Sequence, residues 1–475
     1  MKLYNTRTRS VEEFRPLRDG EVRIYVCGMT PSAQAHLGHA RSFLFFDVLR
    51  RYLAHRGYRV TFVQNVTDID DRSIREGLAT GQDYRAIIAR HYAEFKASMR
   101  KLGVLEYDSE PYATQYIAPI QKMIRELVER GHAYATPDGI YYRVSTFPAY
   151  GKLANRNVDE LEAGARIEVD EQKEDPLDFA LWKYAKPGEP KWPFEGFAEG
   201  RPGWHIECSA MSRALLDPDG DGFDIHGGGA DLIFPHHENE IAQSEPLMRQ
   251  PPMANVWVHG GLLLFDNRKM SKSLGNFEPL SDLLKRHDPQ AIRLLFLQTG
   301  YRKVMNFTEE SIAAAAVTLR QLKKTYRARS SGGGNGAGDE TLLEKVEAAF
   351  DDDMNTSVAL AEVLADRTAT RQTFERALAL LGIEPDASWL EEPKAELPAD
   401  FLQKLTTALR QARDDAELNG ATPEEAVERV IALRAQARAK KDFAASDRLR
   451  DALLECGIEI KDSKEGTTWT VAPRA

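Results

Sequence analysis

An apolar strand that runs into a glycine, a short polar loop and then a long amphipathic helix leaves a chain few ways to fold. Residues 21–28, EVRIYVCG, have that strand character. GHARSFLFFDVLRRYLAHRG, 38–57, carries apolar residues at helical spacing, and YRVTFVQNV, 58–66, is a second strand. Two such strands joined by a helix form a βαβ unit, so the chain is expected to open as an α/β protein. From about 100 to 200 the alternation is broken by Pro-rich and acidic sequence, including NVDELEAGARIEVDEQKEDPLDF. It resumes with FDIHGGG at 223–229 and a helix expected to open at Pro235, the pattern of an insertion within one α/β domain. ANVWVHGGLLLF, 254–265, reads as the final strand.

The remainder is helical by pattern. PQAIRLLFLQTGYRK and EESIAAAAVTLRQLKKTY precede SSGGGNGAGDE at 330–340, whose composition is that of a flexible loop. Helical patterns continue from LLEKVEAAF through ATPEEAVERVIALRAQARA, with Pro423 suited to a first helical turn. In FAASDRLRDALLECG the residues Ala445, Leu449, Ala452, Leu453 and Cys456 share a face, which makes Cys456 a core residue, and Gly457 suits the C-terminal cap. IEIKD and TTWTV read as a closing hairpin.

A chain of 475 residues with 42% hydrophobic composition exceeds what one core serves, so two to four domains are expected. No run approaches the roughly 20 apolar residues of a membrane span, and MKLYNTRTRS lacks the apolar block of a signal peptide, so a soluble, cytoplasmic, non-membrane protein is expected. Its three cysteines, Cys27, Cys208 and Cys456, are too few and too far apart for a disulfide framework. A formal charge of −10 argues against indiscriminate nucleic-acid coating. A local basic stretch at 431–450, with Arg434, Arg438, Lys440, Lys441, Arg448 and Arg450, reads on its own as a solvated helix face.

Two short motifs carry chemistry. HLGH places His36, Gly38 and His39 at a helix N-terminus, where anions are favoured. A glycine costs about 1 kcal/mol in a helix relative to alanine, so Gly38 beside both histidines suggests that a flat or bulky ligand approaches the backbone. KMSKS, 269–273, sets Lys269 and Lys272 in a polar loop after the last strand. Lysines there can neutralise charge that builds on a leaving pyrophosphate.

HLGH and KMSKS resemble the paired signatures of class I aminoacyl-tRNA synthetases. YVCG at 25–28, NVTDIDD at 65–71, GWHIECSAM at 203–211 and HGGGADLIFPHHENEIAQ at 226–243 resemble the cysteine-specific family within that class. The likeness continues through ARAKKDFAASDRLRD and GTTW, and so spans essentially the whole chain. It implies a Rossmann-like catalytic domain at 1–275 with its insertion, a helical stem-contact region at 276–328, an all-helical bundle at 339–420 and a small α+β anticodon-binding domain at 421–475.

The resemblance also implies roles. His236 and Glu240 stand four apart on one helix face, and with Cys27 and Cys208 they form a mixed N/O/S donor set that suits Zn²⁺. His237 is expected about 100° round the helix, pointing away, and Glu238 is expected to be a surface acid. Thr30, His36, Gly38, His39 and Lys272 would bind ATP, with Mg²⁺ accompanying the nucleotide; His36, His39, Lys269 and Lys272 would be catalytic. Cys27, Thr67 and Trp204 would surround L-cysteine, and Arg438, Asp447 and Asp462 would read the anticodon of tRNA(Cys). The enzyme is expected to act as a monomer. One departure is visible: Ser32 and Ala33 stand where the family more often has a tyrosine and an acid. The related cysteine:amino-sugar ligases lack a tRNA-reading tail, and a non-catalytic zinc- and RNA-binding relative would not need intact HLGH and KMSKS.

Overall fold

The computed structural model describes residues 1–156, 172–269, 278–329, 337–391, 397, 400–411, 418, 421–463 and 466–471. A hairpin of β1 (Lys2–Asn5) and β2 (Ser10–Glu13) leads to β3 (Glu21–Val26), α1 (Leu37–His55) and β4 (Arg59–Gln64). β3 and β4 pair in parallel, with Glu21 opposite Arg59 and Val26 opposite Gln64, so α1 is the crossover of the expected βαβ unit. Five consecutive residues of β3 are buried, as a parallel strand covered on both faces requires.

Helices α2 (Asp71–Thr80), α3 (Tyr84–Lys101) and α4 (Ile117–Glu129) follow. The insertion is a sheet of its own: β5 (Ala133–Ala135), β6 (Gly139–Tyr142), β7 (Phe179–Tyr184), β8 (Trp192–Phe194) and β9 (Phe197–Pro202), in the order β5-β6-β7-β9-β8 and antiparallel throughout. Its core draws Ile124 and Leu127 from α4. Much of the acidic stretch, 157–171, lies outside the described residues. After α5 (Trp204–Leu216), β10 (Phe223–Gly229), α6 (Glu238–Ser244) and β11 (Ala254–Gly260) return to the first sheet, whose order is β11-β10-β3-β4.

One expectation about these elements needs correction. The stretch 254–265 is two strands rather than one. β11 stops at Gly260 because at Gly261 the chain crosses the carbonyls of Arg302 and Lys303, which a Cβ would meet at 2.6 and 2.4 Å. The separate β12 (Leu263–Phe265) then joins β13 (Arg268–Lys269) and β14 (Met305–Phe307) in a small sheet. The helix expected from Pro235 is present: Phe234 is extended, with φ −138° and ψ 132°, and the chain turns helical after it and runs on into α6.

Helices α7 (Leu280–Arg286), α8 (Pro289–Leu297), α9 (Glu309–Ala328), α10 (Ala337–Asp351), α11 (Thr356–Ala365) and α12 (Arg371–Leu380) complete a compact unit, Met1–Trp389. Val346, Phe350 and Phe374 share one core with Leu49, Tyr52 and Leu53 of α1. Of the expected 330–340 loop, 330–336 lie outside the described residues and α10 has begun by Ala337.

The second unit, Leu390–Ala475, contains α13 (Phe401–Gln411), α14 (Pro423–Ala439), α15 (Phe443–Glu455) and the hairpin β15 (Ile458–Ser463) and β16 (Gly466–Val471). Pro423 lies in the first turn of α14, as read from the sequence, and Thr422 caps the helix. Phe401 and Leu405 share its core with Val427, Val430, Leu449 and Leu453. Cys456 is only half-buried, at the edge of this core, whereas Ser446 takes a buried place on α15.

A buried ion pair ties α1 to α8. Asp47 meets the Arg293 guanidinium and accepts from Arg51 Nε at 2.9 Å and from the Leu105 amide at 2.9 Å. Arg293 also donates to the carbonyls of Leu381 (2.7 Å) and Leu102 (2.9 Å). Burial alone would raise the Asp47 carboxyl, but the two arginines outweigh it and hold it below its ordinary value. Asp47→Asn leaves Arg293 buried without its counter-charge and should cost about 3–5 kcal/mol near neutral pH. Because the folded pKa lies below the unfolded value of about 3.9, the pair's contribution is complete above that value and fades as the pH falls through the folded one. Denaturant unfolding of parent and variant should therefore converge in acid; a gap independent of pH would contradict this assignment.

Candidate active site and metal centre

The carboxyl ends of β3, β10 and β11 lie on one edge of the sheet, and the sequence-predicted metal donors gather there. Cys27 follows β3, its amide bonded to the Gly227 carbonyl at 3.0 Å. Cys208 comes from α5, and His236 and Glu240 from the turn into α6 and from α6 itself. Cys27 Sγ lies 3.6 Å from Cys208 Sγ and 3.4 Å from Glu240 Oε1, and His236 Nε2 is 3.2 Å from that same oxygen. All four are buried, with donor atoms within 4.8 Å of one another.

Around them is a shell that sequence reasoning missed. His205 Nδ1 lies 2.9 Å from His236 Nδ1, which turns His236 Nε2 toward the cluster. His226 Nε2 lies 3.0 Å from Glu240 Oε2, leaving Oε1 to face the sulfur. His237 Nδ1 lies 2.7 Å from His259 Nε2, and His259 Nδ1 lies 2.8 Å from Thr6 Oγ1, so a residue beyond the first strand reaches the site. The available signal was a buried histidine position inside each of two largely apolar strands, His226 and His259.

Two expectations fail here. His237 does not point away: Glu240 is three residues from His237 and four from His236, so both rings reach one carboxylate, with His237 Nε2 at 3.9 Å. Cys27, His226, His237 and Glu240 consequently form a second, overlapping donor group. Glu238 is no surface acid; it is buried and accepts from the amides of Gly151 (2.9 Å), Leu153 (2.9 Å) and Ala154 (2.8 Å).

Charge within the cluster is uneven. Burial pushes the Cys27 thiol well above its ordinary value. At Cys208 burial acts in the same sense, but the hydrogen bond from Cys27 and the neighbouring His236 bring it down to about 6. Burial opposes charge on His236 as well, yet Glu240 and Cys208 raise it to about 10, while Glu240, despite burial, is drawn down to about 2 by His226 and His236.

The HLGH histidines cap α1 reciprocally. His36 Nδ1 accepts from the Gly38 amide at 3.1 Å and His39 Nδ1 accepts from the His36 amide at 3.2 Å, with the rings stacked at 3.8 Å. A ring that accepts at Nδ1 is the neutral Nε2–H tautomer, so each keeps one donor. Burial lowers His36, and burial with the neighbouring His36 lowers His39 to about 3.

Thr67 is buried, and its Oγ1 accepts from Asn65 Nδ2 at 3.3 Å, while Asn65 Oδ1 accepts from the Gly28 amide at 2.8 Å. Trp204 opens α5, is 43% exposed, and sets its ring 4.3 Å from that of His236, so it flanks the cluster rather than filling a core. Thr30, Ser32 and Ala33 are half-buried in the loop before α1. Lys269 ends β13 opposite Leu264, and Lys272 lies outside the described residues.

In the second unit, Asp462 accepts two bonds from Arg434, each 2.8 Å, one from Arg438 at 2.6 Å and one from Thr467 at 2.7 Å; those from Arg434 and Thr467 do most to hold it below the carboxylate range. Asp447 is exposed on α15. Arg434, one helical turn before Arg438, was recognised in sequence only as part of the basic stretch.

A parallel sheet with an inserted domain, and a histidine-capped helix at its carboxyl edge, define a class I aminoacyl-tRNA synthetase. The family described as "tRNA synthetases class I (C) catalytic domain" matches residues 13–317, and the "Cysteinyl-tRNA ligase anticodon binding domain" matches 423–469. Among solved structures, a Mycobacterium tuberculosis methionyl-tRNA synthetase with methionyl-adenylate superposes with a TM-score of 0.54 at 15% identity, covering 92% of this chain and 90% of that one. An Agrobacterium radiobacter LeuRS in complex with tRNA and LeuAMS does so with 0.56 at 12%, covering 78% and 84%. At such identities the likeness is one of fold.

Full-length relatives narrow the class. The cysteine–tRNA ligase of Ectopseudomonas mendocina is 44% identical over 480 residues, covering 99% of each chain, and that of Pseudomonas aeruginosa PAO1 is 43% identical over 476, covering 99% and 100%. The chain belongs to the cysteine–tRNA ligases, which are ATP-dependent class I synthetases. No helix among the described residues is long and apolar enough to cross a membrane.

The reciprocal cap yields a direct test. Nitrogen-15 NMR of the folded protein should show His36 and His39 as Nε2–H tautomers, with His39 neutral across pH 5 to 8, the range in which an ordinary histidine changes charge. A His39 titrating near about 6.5 would contradict the stacked, capped geometry.

Proposed function

We propose that the chain charges tRNA(Cys) with L-cysteine and selects its amino acid at a zinc ion held by Cys27, Cys208, His236 and Glu240. The supporting observation is the convergence of these four buried donors within 4.8 Å. Two sulfurs, an imidazole and a carboxylate are a zinc-type set, and His205 and His226 orient the imidazole and the carboxylate as metal ligands are oriented. When bound, zinc would take the soft thiolate of cysteine in preference to the harder, protonated hydroxyl of serine. His236 must give up its proton to ligate, so metal uptake releases protons.

The chain's own residues supply the rest. Thr67 and Trp204 flank the amino acid beside Cys27. The Nε2–H groups of His36 and His39, with Thr30 and Gly38, face the phosphates of Mg·ATP. Their neutral state suits donors that stabilise developing charge by hydrogen bonding without transferring the proton. The cysteine carboxylate attacks the α-phosphorus, Lys269 and Lys272 neutralise the departing pyrophosphate, and cysteinyl-adenylate remains. The 2′-hydroxyl of the terminal tRNA adenosine then attacks the acyl carbon and AMP leaves. No protein nucleophile is required.

Residues 1–275, with the insertion at about 100–200, are read as the catalytic domain and 276–328 as the stem-contact region. Residues 339–420 are read as the helical bundle and 421–475 as the anticodon reader. In that reader Arg438, Asp447 and Asp462 present hydrogen-bonding groups to single-stranded bases. The chain acts as a monomer in the cytoplasm.

Cys208→Ser should lower both bound zinc and cysteine affinity while leaving ATP affinity nearly intact. Metal analysis alongside cysteine titration checks this. Stoichiometric zinc with unaltered cysteine affinity in both Cys208→Ser and His236→Ala would remove these residues from the site. Arg438→Ala leaves Asp462 held by Arg434 and should therefore fold. It should raise the apparent KM for tRNA by about tenfold, the scale of one lost base contact, and spare ATP–pyrophosphate exchange. Equal damage to both assays would argue against a role in anticodon reading.

A further inference from the structure

We infer that Arg41 is a positioning residue that fixes the spacing between the HLGH helix and the strand pair leading into KMSKS. It lies on the first turns of α1, two residues after His39, and is 5% exposed. All of its recorded hydrogen bonds go to main-chain carbonyls. Nη1 donates to Gly261 (3.1 Å) and Leu262 (2.8 Å), and Nη2 donates to Gly300 (3.3 Å), Tyr301 (3.5 Å) and Lys303. Burial brings the guanidinium down to about 10, so it stays charged at neutral pH.

Those carbonyls belong to two separate segments that enter the small sheet. Residues 261–262 join β11 to β12, and 300–303 join α8 to β14. The segments already touch: the Gly261 amide donates to Tyr301 at 2.7 Å and the Met305 amide to Leu262 at 3.0 Å. β12 pairs with β14 on one side and with β13 on the other, and β13 ends at Lys269. One planar, multi-donor fork thus ties the helix capped by His36 and His39 to the sheet whose outer strand ends in the first lysine of KMSKS. Only arginine has the donors and the flat geometry to span both segments; a lysine ammonium is a point charge with three donors.

The inference rests on the reading of HLGH and KMSKS as the two ATP-handling motifs. If they act together on one triphosphate, their separation decides the rate of adenylation, and a misplacement of about 1 Å can cost as much as 100-fold. Cysteine and metal are held by other elements and should not respond.

The test uses single-turnover adenylation with the full-length protein and the variants Arg41→Lys, Arg41→Ala and Lys269→Ala, together with both double variants. Arg41→Lys keeps the charge and preserves folding should Arg41→Ala fail to fold. The expected result is an adenylation rate constant lowered about 10- to 100-fold in Arg41→Lys, with bound metal and cysteine affinity within about twofold of the parent. Combining Arg41→Lys with Lys269→Ala should cost clearly less than the product of the two single losses, because the fork acts in part through that lysine. A folded Arg41→Lys that adenylates at the parental rate, beside an impaired Lys269→Ala, overturns the coupling alone. Losses that multiply in the double variant also overturn it, since a merely structural arginine would behave so. A Lys269→Ala that adenylates at the parental rate overturns the reading of KMSKS and the coupling with it.

Discussion

Helix α1 lies directly against β10, and the glycines of that strand allow it. A Cβ on Gly227 would come within 2.3 Å of two ring atoms of Phe46, one on Gly228 within 2.9 Å of the His237 ring, and one on Gly229 within 2.5 Å of Asp231. The run HGGG is thus a steric demand imposed chiefly by the Phe46 and His237 rings, since the exposed Asp231 carboxylate can turn aside. With a side chain at Gly227 or Gly228, α1 would lift from the sheet or His237 would leave the cluster. Gly28 answers the same need at the end of β3, where a Cβ would stand 1.8 Å from the Asn65 carbonyl oxygen. Close backbone approach at this edge is what brings Cys27, the α1 cap and Thr67 into one site.

A second constraint is electrostatic. Ligating groups that are fully buried cannot each keep their solution charge, because the interior penalises an uncompensated ion. Here the charge is distributed through contacts: Glu240 bonds two imidazoles, Cys208 gains thiolate character from a sulfur donor and His236, and Cys27 retains its proton. Pinning of rings by partners as distant as Thr6 leaves little rotational freedom to the donors, and that rigidity is what a site needs to distinguish two ligands of similar size.

The βαβ opening was legible because its periodicities are strong and local: β3, α1 and β4 fall within two residues of the segments read from sequence. Cys27, Cys208, His236 and Glu240 were legible as a candidate donor set through resemblance, and the fold brings them together. What could not be read depends on long-range contact. Glu238 looks like any helix-surface acid until the turn at Gly151–Ala154 arrives with three amides for it. The end of β11 depends on residues about forty positions later, whose carbonyls crowd Gly261. His205, His226 and His259 carry no spacing signature, since three different elements deliver them. Arg434 was visible as a positive charge but not as the bidentate partner of Asp462, because that pairing forms only when the hairpin folds back on α14.

The histidines of the active-site edge divide into two kinds by environment. His36 and His39 spend Nδ1 on backbone amides, stack on each other and are half-buried, so protonation would break the cap and set two charges side by side. They are fixed as neutral donors, suited to an anionic ligand that should be bound without proton exchange. His236 is buried as well, yet contact with Glu240 and Cys208 reverses the outcome and favours its proton. That proton marks the position a cation would take: anionic partners that stabilise an imidazolium equally stabilise a metal ion in its place. One residue type is thus held in two states at the same sheet edge, a neutral donor and a ring that favours its proton, and the presence or absence of a carboxylate in contact separates the two.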